Sequence, residues 1–289
     1  MEDYPKNLRE FDTRFSSEDA CREYLFKLRW PDGFCCPRCG GNKSWPGRGV
    51  LRECAGCGYQ CSVTAGTIFQ DTRTPLRLWF QAMWWMTTQK NGASALGLQR
   101  VLGLKQYQTA WTWLHKLRSA MVRPGRDLLT GRVEVDECYL GGLEEGLRGR
   151  LIESKALIVV AAQENGRGIG RIRLRQIPDA SAECLYPFIL DSVLKGTKEP
   201  ASELLPRVHL VVSLLKRWLM GTHQGAVSHK HLAYYLDEFT FRFNRRKSAS
   251  RGKLFYRLVQ QAVCVEPSTY DEIVRRAPGK LTPQGPMAT

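Results

Sequence analysis

Two Cys-x-x-Cys pairs constrain this chain more than any other feature. Cys36-Pro37-Arg38-Cys39 and Cys54-Ala55-Gly56-Cys57 are separated by 14 residues, and each closes on glycine, at Gly40-Gly41 and at Gly58. A turn of this spacing aims two thiolates at one point, and two such turns complete a tetrahedral Zn²⁺ site. Four cysteine ligands leave no open position, so the zinc is structural. A ribbon this small has too little apolar core to fold unaided and draws its stability from the metal. Cys35 and Cys61 flank the pairs as spectators, since taking Cys35 for Cys36 would spoil the spacing. The chain has ten cysteines, and its start, Met-Glu-Asp-Tyr-Pro-Lys, lacks the apolar stretch of a signal peptide. Metal ligands and free thiols are expected, not disulfides.

The net charge is +15 and the isoelectric point about 9.5. The expected partner is a polyanion, DNA or RNA, with an anionic membrane surface as the rival. No apolar run reaches the roughly 18 residues needed to span a bilayer. The ribbon carries Arg38, Lys43, Arg48 and Arg52, which suit phosphate contact.

The pattern divides the chain. Residues 1–30 read as helical, with an N-cap in Ser16-Ser17-Glu18-Asp19 and apolar Cys21, Tyr24, Leu25 and Leu28. The ribbon occupies 31–70. Residues 71–125 are helical, broken at Asn91-Gly92 and Gly103, the outline of a helix-turn-helix that an ordinary helical hairpin would share. Its second helix is expected to present Gln106, Gln108, Thr109, Thr112, His115 and Lys116 outward, with Trp111 and Leu114 inward. Gln108 and Thr112 are the candidate DNA contacts. From 131 the pattern turns to strands: Arg132–Leu140, Lys155–Gln163, and Ile169–Gln176 with one wet arginine face. Asn165-Gly166 marks a hairpin between the last two. Helices follow over Ser181–Leu194, capped by Asp179 or Ser181, then Glu203–Met220 and Ser228–Arg242. The tail 278–289 reads as disordered. The fold class is multidomain α+β.

Within Val133–Gly142, alternation puts Glu134 and Asp136 on one face of a strand and Glu137 on the other. An acid on a core strand is costly unless paired or metal-bound; on an edge strand it is simply solvated.

Together these parts resemble one family. The residues that carry the likeness begin with the four cysteines, Gly58-Tyr59-Gln60, Val63-Thr64-Ala65-Gly66-Thr67-Ile68-Phe69 and Tyr107-Gln108-Thr109-Ala110-Trp111. They continue through Val133–Glu137 with Gly141-Gly142, Leu205–His209, Leu215–Leu219, Gly221–Gly225 and Phe241–Arg246. The chain is similar to bacterial insertion-sequence transposases of the DDE class, the ISXO-type group, with an N-terminal zinc ribbon and a ribonuclease-H-like core. The resemblance implies such a core over 131–265, where acidic or equivalent residues hold Mg²⁺ or Mn²⁺ for phosphodiester cleavage and strand transfer. It makes Asp136 the first ligand of the divalent metal, puts the third position at His209 and sets Lys216 on substrate phosphate. Glu134 and Glu137 fall outside the motif and are expected to form salt bridges. An imidazole at the third position favours Mn²⁺ over Mg²⁺. The implied partner is double-stranded DNA, as terminal inverted repeats and as target. A homodimer or larger assembly on DNA, in a bacterial cytoplasm and associated with the nucleoid, is expected.

The likeness breaks at one place. It implies a second aspartate at the end of a fourth strand, yet no aspartate and no β-branched run lies between Asp191 and His209. The segment near 195–203 reads as an internal deletion that removes the fourth core strand. Asp179 and Asp191 sit before and on a helix and are poor substitutes; Glu199 and Glu203 lie in the join. A catalytically impaired copy is expected, with a non-catalytic zinc-ribbon and helix-turn-helix DNA-binding protein as the alternative. Downstream, Arg242, Arg245, Arg246 and Lys247 lead a run of cations interleaved with Phe241 and Phe243, read as a phosphate-binding face.

Overall fold

A computed structural model describes residues 2–123, 125–141, 155–193 and 205–275. Gly142, Leu194, the proposed join with Glu199 and Glu203, and the tail 278–289 lie outside the described residues. Two compact units emerge, 1–121 with 248–273, and 122–247. Residues 248–265, expected to close the transposase core, therefore pack with the N-terminal unit.

In the first unit, helices α1 (Leu8–Arg14) and α2 (Glu18–Arg29) lead into a ribbon of β1 (Ser44–Pro46), β2 (Arg52–Cys54) and β3 (Gln60–Cys61). The three short strands pair antiparallel in the order β1-β2-β3. Helices α3 (Leu76–Thr88), α4 (Ala95–Leu102), α5 (Tyr107–Ser119), α9 (Arg251–Ala262) and α10 (Tyr270–Arg275) complete it. Ser17 caps α2 by accepting the Ala20 N–H at 3.2 Å, as its position before an amphipathic run dictates. The core is aromatic. Phe255 of α9 sits among Phe11, Phe15, Tyr24, Phe80 and Trp84, with ring centroids 5.5–6.4 Å away. That burial is what draws α9 into this unit. Gly252 is obligatory there, because a Cβ at that position would collide with the Pro5 carbonyl.

The second unit is a three-stranded antiparallel sheet, β4 (Val133–Leu140), β5 (Ala156–Asn165) and β6 (Gly168–Ile177), in the order β4-β5-β6. The hairpin turns at Asn165-Gly166, where Gly166 takes φ 57°, the left-handed turn geometry that the pair favours. One sheet face packs Ile158, Val160, Ile172 and Leu174 against α7 (Pro206–His223) and α8 (Leu232–Asn244). The other packs Leu157, Val159, Ala161 and Ile177 against α6 (Ala182–Ser192). Among the described residues β4 is an edge strand. Where the resemblance implies the start of a fourth strand, Val193 makes a single parallel bridge to Leu129, and Leu129 N–H donates to Ser192 O at 2.8 Å.

The arginine face of β6 departs from expectation. It is not wet: Arg173 is 3 % exposed. The connector before β4 crosses it, and Asp127 O and Leu128 O accept from Arg173 and Arg171. No helix among the described residues is long and apolar enough to cross a membrane.

Candidate functional site: a zinc knot and an acid-bearing strand

The two cysteine turns are built alike. Gly40 N–H donates to Cys36 O and Gly58 N–H to Cys54 O, each at 2.9 Å. Gly40 and Gly58 follow the second cysteine at φ 72° and 66°, a conformation that L side chains resist. The turns converge, and the four Sγ atoms all lie within 4.8 Å of one another. Cys36 Sγ and Cys57 Sγ are 3.7 Å apart, Cys39 Sγ and Cys54 Sγ 3.6 Å. A tetrahedron with Zn–S bonds of about 2.3 Å has edges of about 3.8 Å, so the donor set fits zinc. Gly41 closes the cradle, since a Cβ there would stand 3.3 Å from both Cys39 Sγ and Cys54 Sγ. Backbone N–H groups of Cys57 and Gly56 pull the Cys54 thiol down to about 7, toward the thiolate a metal needs. Cys35 is exposed and Cys61 is buried beside Trp30 and Phe34; neither joins the knot. Arg38, Lys43 and Arg48 are exposed and Arg52 half-buried.

Helices α4 and α5 meet at Gly103, whose left-handed φ of 61° ends α4, as the sequence pattern requires. Gln106 and Gln108 are exposed; Thr109, Thr112 and Lys116 are half-buried. They rim a cavity of about 330 Å³ together with Asp71, Thr72 and Tyr270. His115 corrects the expectation. It is fully buried and lies against half-buried Trp111, ring centroids 4.1 Å apart. The helix is rotated because Trp113, not Trp111, is the inner anchor and stacks on Trp79 at 4.2 Å.

In the second unit, Glu134 and Asp136 pair across from Ala162 and Val160, on the α7 side, and Glu137 faces the other way. Glu134, 7 % exposed, grips the start of α7. Its carboxylate accepts the N–H groups of Arg207 and Val208 at 2.8 and 3.0 Å and pairs with the Arg207 guanidinium at 2.7 Å. The residue before α7, Leu205, offers no capping side chain, so this distant acid satisfies the first turn. Arg207 also pairs with Glu164 at 2.8 Å, tying helix, strand and hairpin together. Further along, Cys138 feels Lys216: burial pushes its thiol up to about 11, and the ammonium pulls against that. Four residues of strand and eight of helix each span roughly 12–13 Å. Strand β4 and helix α7 thus run side by side in one direction, with Asp136 between the two contacts.

Asp136 Oδ1 accepts from Glu137 N–H at 2.9 Å. His209 and Lys216 are both exposed on α7, two helical turns apart and on one side of it. Among the described residues, the four cysteines are the only group of three or more His, Cys, Asp or Glu gathered as metal ligands. Among the described residues, Asp136 has no second and third His, Cys, Asp or Glu gathered with it as metal ligands. Asp191 does not join it, because it pairs with Arg175 at 3.0 Å on the α6 face. Asp179 is taken up before α6, accepting Ser181 N–H at 2.8 Å, and Ser181 is the cap.

The cation run at the end of α8 and just beyond it is mostly engaged within the protein. Arg242 pairs with fully buried Glu238 at 2.8 Å. Arg245 lies 4.0 Å over Phe241 and Arg246 3.9 Å over Phe243. Arg246 also donates to Gly170 O at 3.2 Å and to Ile169 O. Asn244 accepts Ile172 N–H at 2.7 Å and donates to Ile172 O at 3.1 Å. The segment plugs the outer edge of β6, a role that the run of charges does not announce in the sequence. Lys247 stays exposed.

Comparison with known proteins finds a family match in each unit. Residues 16–60 match the transposase zinc-ribbon domain family. Residues 128–204 and 197–244 match the ISXO2-like transposase domain family. Over 140 residues the chain is 29 % identical to an uncharacterized protein in transposable element ISH50 of Halobacterium salinarum, covering 47 % of this chain. That match spans 45 % of the relative's length. No solved structure matches. The chain belongs to the insertion-sequence transposases that join a zinc ribbon to an ISXO2-like transposase domain.

Proposed function

We propose that this protein binds the terminal inverted repeats of its own element, and target duplex DNA, as a dimer or larger assembly, and that it descends from an enzyme that cut and joined those strands. The observation that carries the reading is the Glu134 clamp. It fixes α7 against β4 and so sets Asp136 beside the helix that bears His209 and Lys216. In this reading Asp136 and His209 are the ligands retained for Mg²⁺ or Mn²⁺, and Lys216 meets a substrate phosphate. Ribbon cations, Gln108, Thr112 and Lys247 supply DNA contacts; Arg242, Arg245 and Arg246 hold the fold that presents them.

We infer further that this copy is impaired. No aspartate lies between Asp191 and His209. The family match comes in two overlapping stretches, 128–204 and 197–244, the pattern a missing middle would leave. The same observation favours the second reading, a DNA-binding protein without catalysis. The deciding assay incubates zinc-loaded protein with DNA carrying the inverted repeats that flank its gene, in Mg²⁺ or Mn²⁺. Binding of the ends without cleavage is expected. Robust strand transfer would overturn the impairment, and failure to bind the ends would overturn the DNA role.

A further inference from the structure

The face of β6 turned away from Asp136 concentrates positive charge in an unusual way. Arg171, Arg173 and Arg175 alternate along the strand, and Arg126 of the preceding connector lies close enough to act electrostatically on Arg173 and Arg175. Arg173 is 3 % exposed. Its guanidinium donates to two neutral acceptors, Asp127 O at 2.7 Å and Ile172 O at 3.0 Å, and its Nε has no partner. The nearby carboxylates are shared and none pairs directly with Arg173: Asp127 acts on Arg173 but pairs with Arg171 at 3.5 Å and Arg123 at 3.6 Å, Asp191 pairs with Arg175 at 3.0 Å, and Asp237 acts on Arg126. A buried cation without a carboxylate of its own is costly. Burial, reinforced by Arg126 and Arg171, pushes Arg173 down to about 10.

We propose that these arginines form a phosphate-binding site, with Arg173 at its base and Arg126, Arg171 and Arg175 at its rim. Guanidinium forks match phosphate oxygens in pairs, and residues two apart on a strand stand about 6.6 Å apart, a spacing suited to successive phosphates of a nucleic-acid strand. The site is distinct from the Asp136 region. Arg173 lies across from Ala161 and Asp136 across from Val160, neighbours on β5 that point to opposite faces. The inference extends the DNA-binding reading but needs no catalysis. Its ligand is a phosphate group, from a DNA backbone or free in solution.

Two measurements on the zinc-loaded full chain test it. In the first, thermal unfolding is followed as inorganic phosphate replaces chloride at constant ionic strength. Phosphate at about ten times its Kd should raise the Tm by about 3–6 °C. The rise should vanish in R173M and in R126Q/R171Q. R173M in chloride should unfold no lower than the native protein, because it removes a buried charge. An arginine serving the fold alone would instead make R173M less stable by the same amount in both buffers and leave R126Q/R171Q responsive. That pattern, or no rise in the native protein, overturns the site. In the second, duplex DNA binding is measured against salt. If DNA is the source, R126Q/R171Q should lower the slope of log K against log salt by about 1–2. An unchanged slope with the phosphate response lost assigns the site to free phosphate. Strand transfer enters neither readout, so the site and the transposase reading can fail separately.

Discussion

The two units solve the same problem, holding several polar ligands at one point, in opposite ways. The ribbon gathers its four thiols from 22 consecutive residues, Cys36 to Cys57, with two copies of one glycine-closed turn. The second unit brings Glu134 and Asp136 to α7 across more than seventy residues of chain, through a sheet, a buried ion pair and a helix start. A local knot depends on its metal and little else. A site assembled at long range depends on the packing of everything between, and losing one segment removes a ligand without unfolding what remains. On the proposed reading, this contrast is how the chain would keep its cysteine cluster while losing an acidic ligand; among the described residues only the cysteines gather as metal ligands.

Zinc removal is the harshest way to break the comparison. Binding in small zinc domains is worth on the order of 10 kcal/mol or more. A chelator, or C54S, should abolish amide protection across β1, β2 and β3 while β5 stays protected. Hydrogen exchange reads both units at once. Loss of protection in β5 on chelation would mean that the two units do not stand independently.

The Glu134 clamp is the next largest effect. Removing one member of a buried, hydrogen-bonded pair costs roughly 3–5 kcal/mol, and here the carboxylate also satisfies two helix N–H groups. E134A should lower urea stability of the second unit by about 3 kcal/mol, and E134Q by less, since an amide oxygen still accepts. A neutral E134A would show that α7 is held by its apolar stripe, Val208, Val211, Leu215 and Leu219, alone.

The same contrast governs what the sequence reveals. The knot was legible because ligand spacing, glycine and turn lie within a few residues. The strands were legible because alternation and the Asn165-Gly166 turn are local too. Glu134 read as a salt-bridge partner, but its hold on the first turn of α7 did not, since nothing near Pro206 announces a cap from seventy residues upstream. The buried His115 was missed because a helix face inferred from one tryptophan turns when its neighbour, Trp113, finds Trp79. The arginines of β6 were read as solvated and those at the end of α8 as a phosphate-binding face, because composition cannot say which backbone carbonyls lie within their reach.

The edge plug sharpens that last point. Asn244 exchanges two hydrogen bonds with Ile172 and so imitates a neighbouring strand. N244A should leave both groups of Ile172 unpaired at a cost of about 1–3 kcal/mol, seen as a lower urea midpoint and faster exchange along β6. N244D should fall between, because it still accepts from Ile172 N–H yet sets an anion against the carbonyl. If N244A instead matched the native protein, water would be replacing the side chain at the edge, and the run at the end of α8 would be free to serve DNA.

The smallest effect gives the cleanest comparison, because each unit contains one distant acid capping one helix. Glu18 accepts the N–H groups of Leu76 and Arg77, both at 2.9 Å, at the start of α3, where Pro75 offers no side chain. Glu134 does the same for α7 at 2.8 and 3.0 Å. The geometry is nearly equal; the surroundings are not. The Glu18 side chain is 34 % exposed and its ion pair with Arg22 is long, 3.8 Å, whereas the Glu134 side chain is 7 % exposed and its pair with Arg207 is 2.7 Å. E18A should therefore cost about 1 kcal/mol, the ordinary loss of a helix cap, because water can reach the freed N–H groups. The difference between E18A and E134A then measures what burial adds to a cap of fixed geometry. Equal losses in urea unfolding would show that the helix N–H groups set the cost in both units and that burial of the Arg207 pair adds nothing.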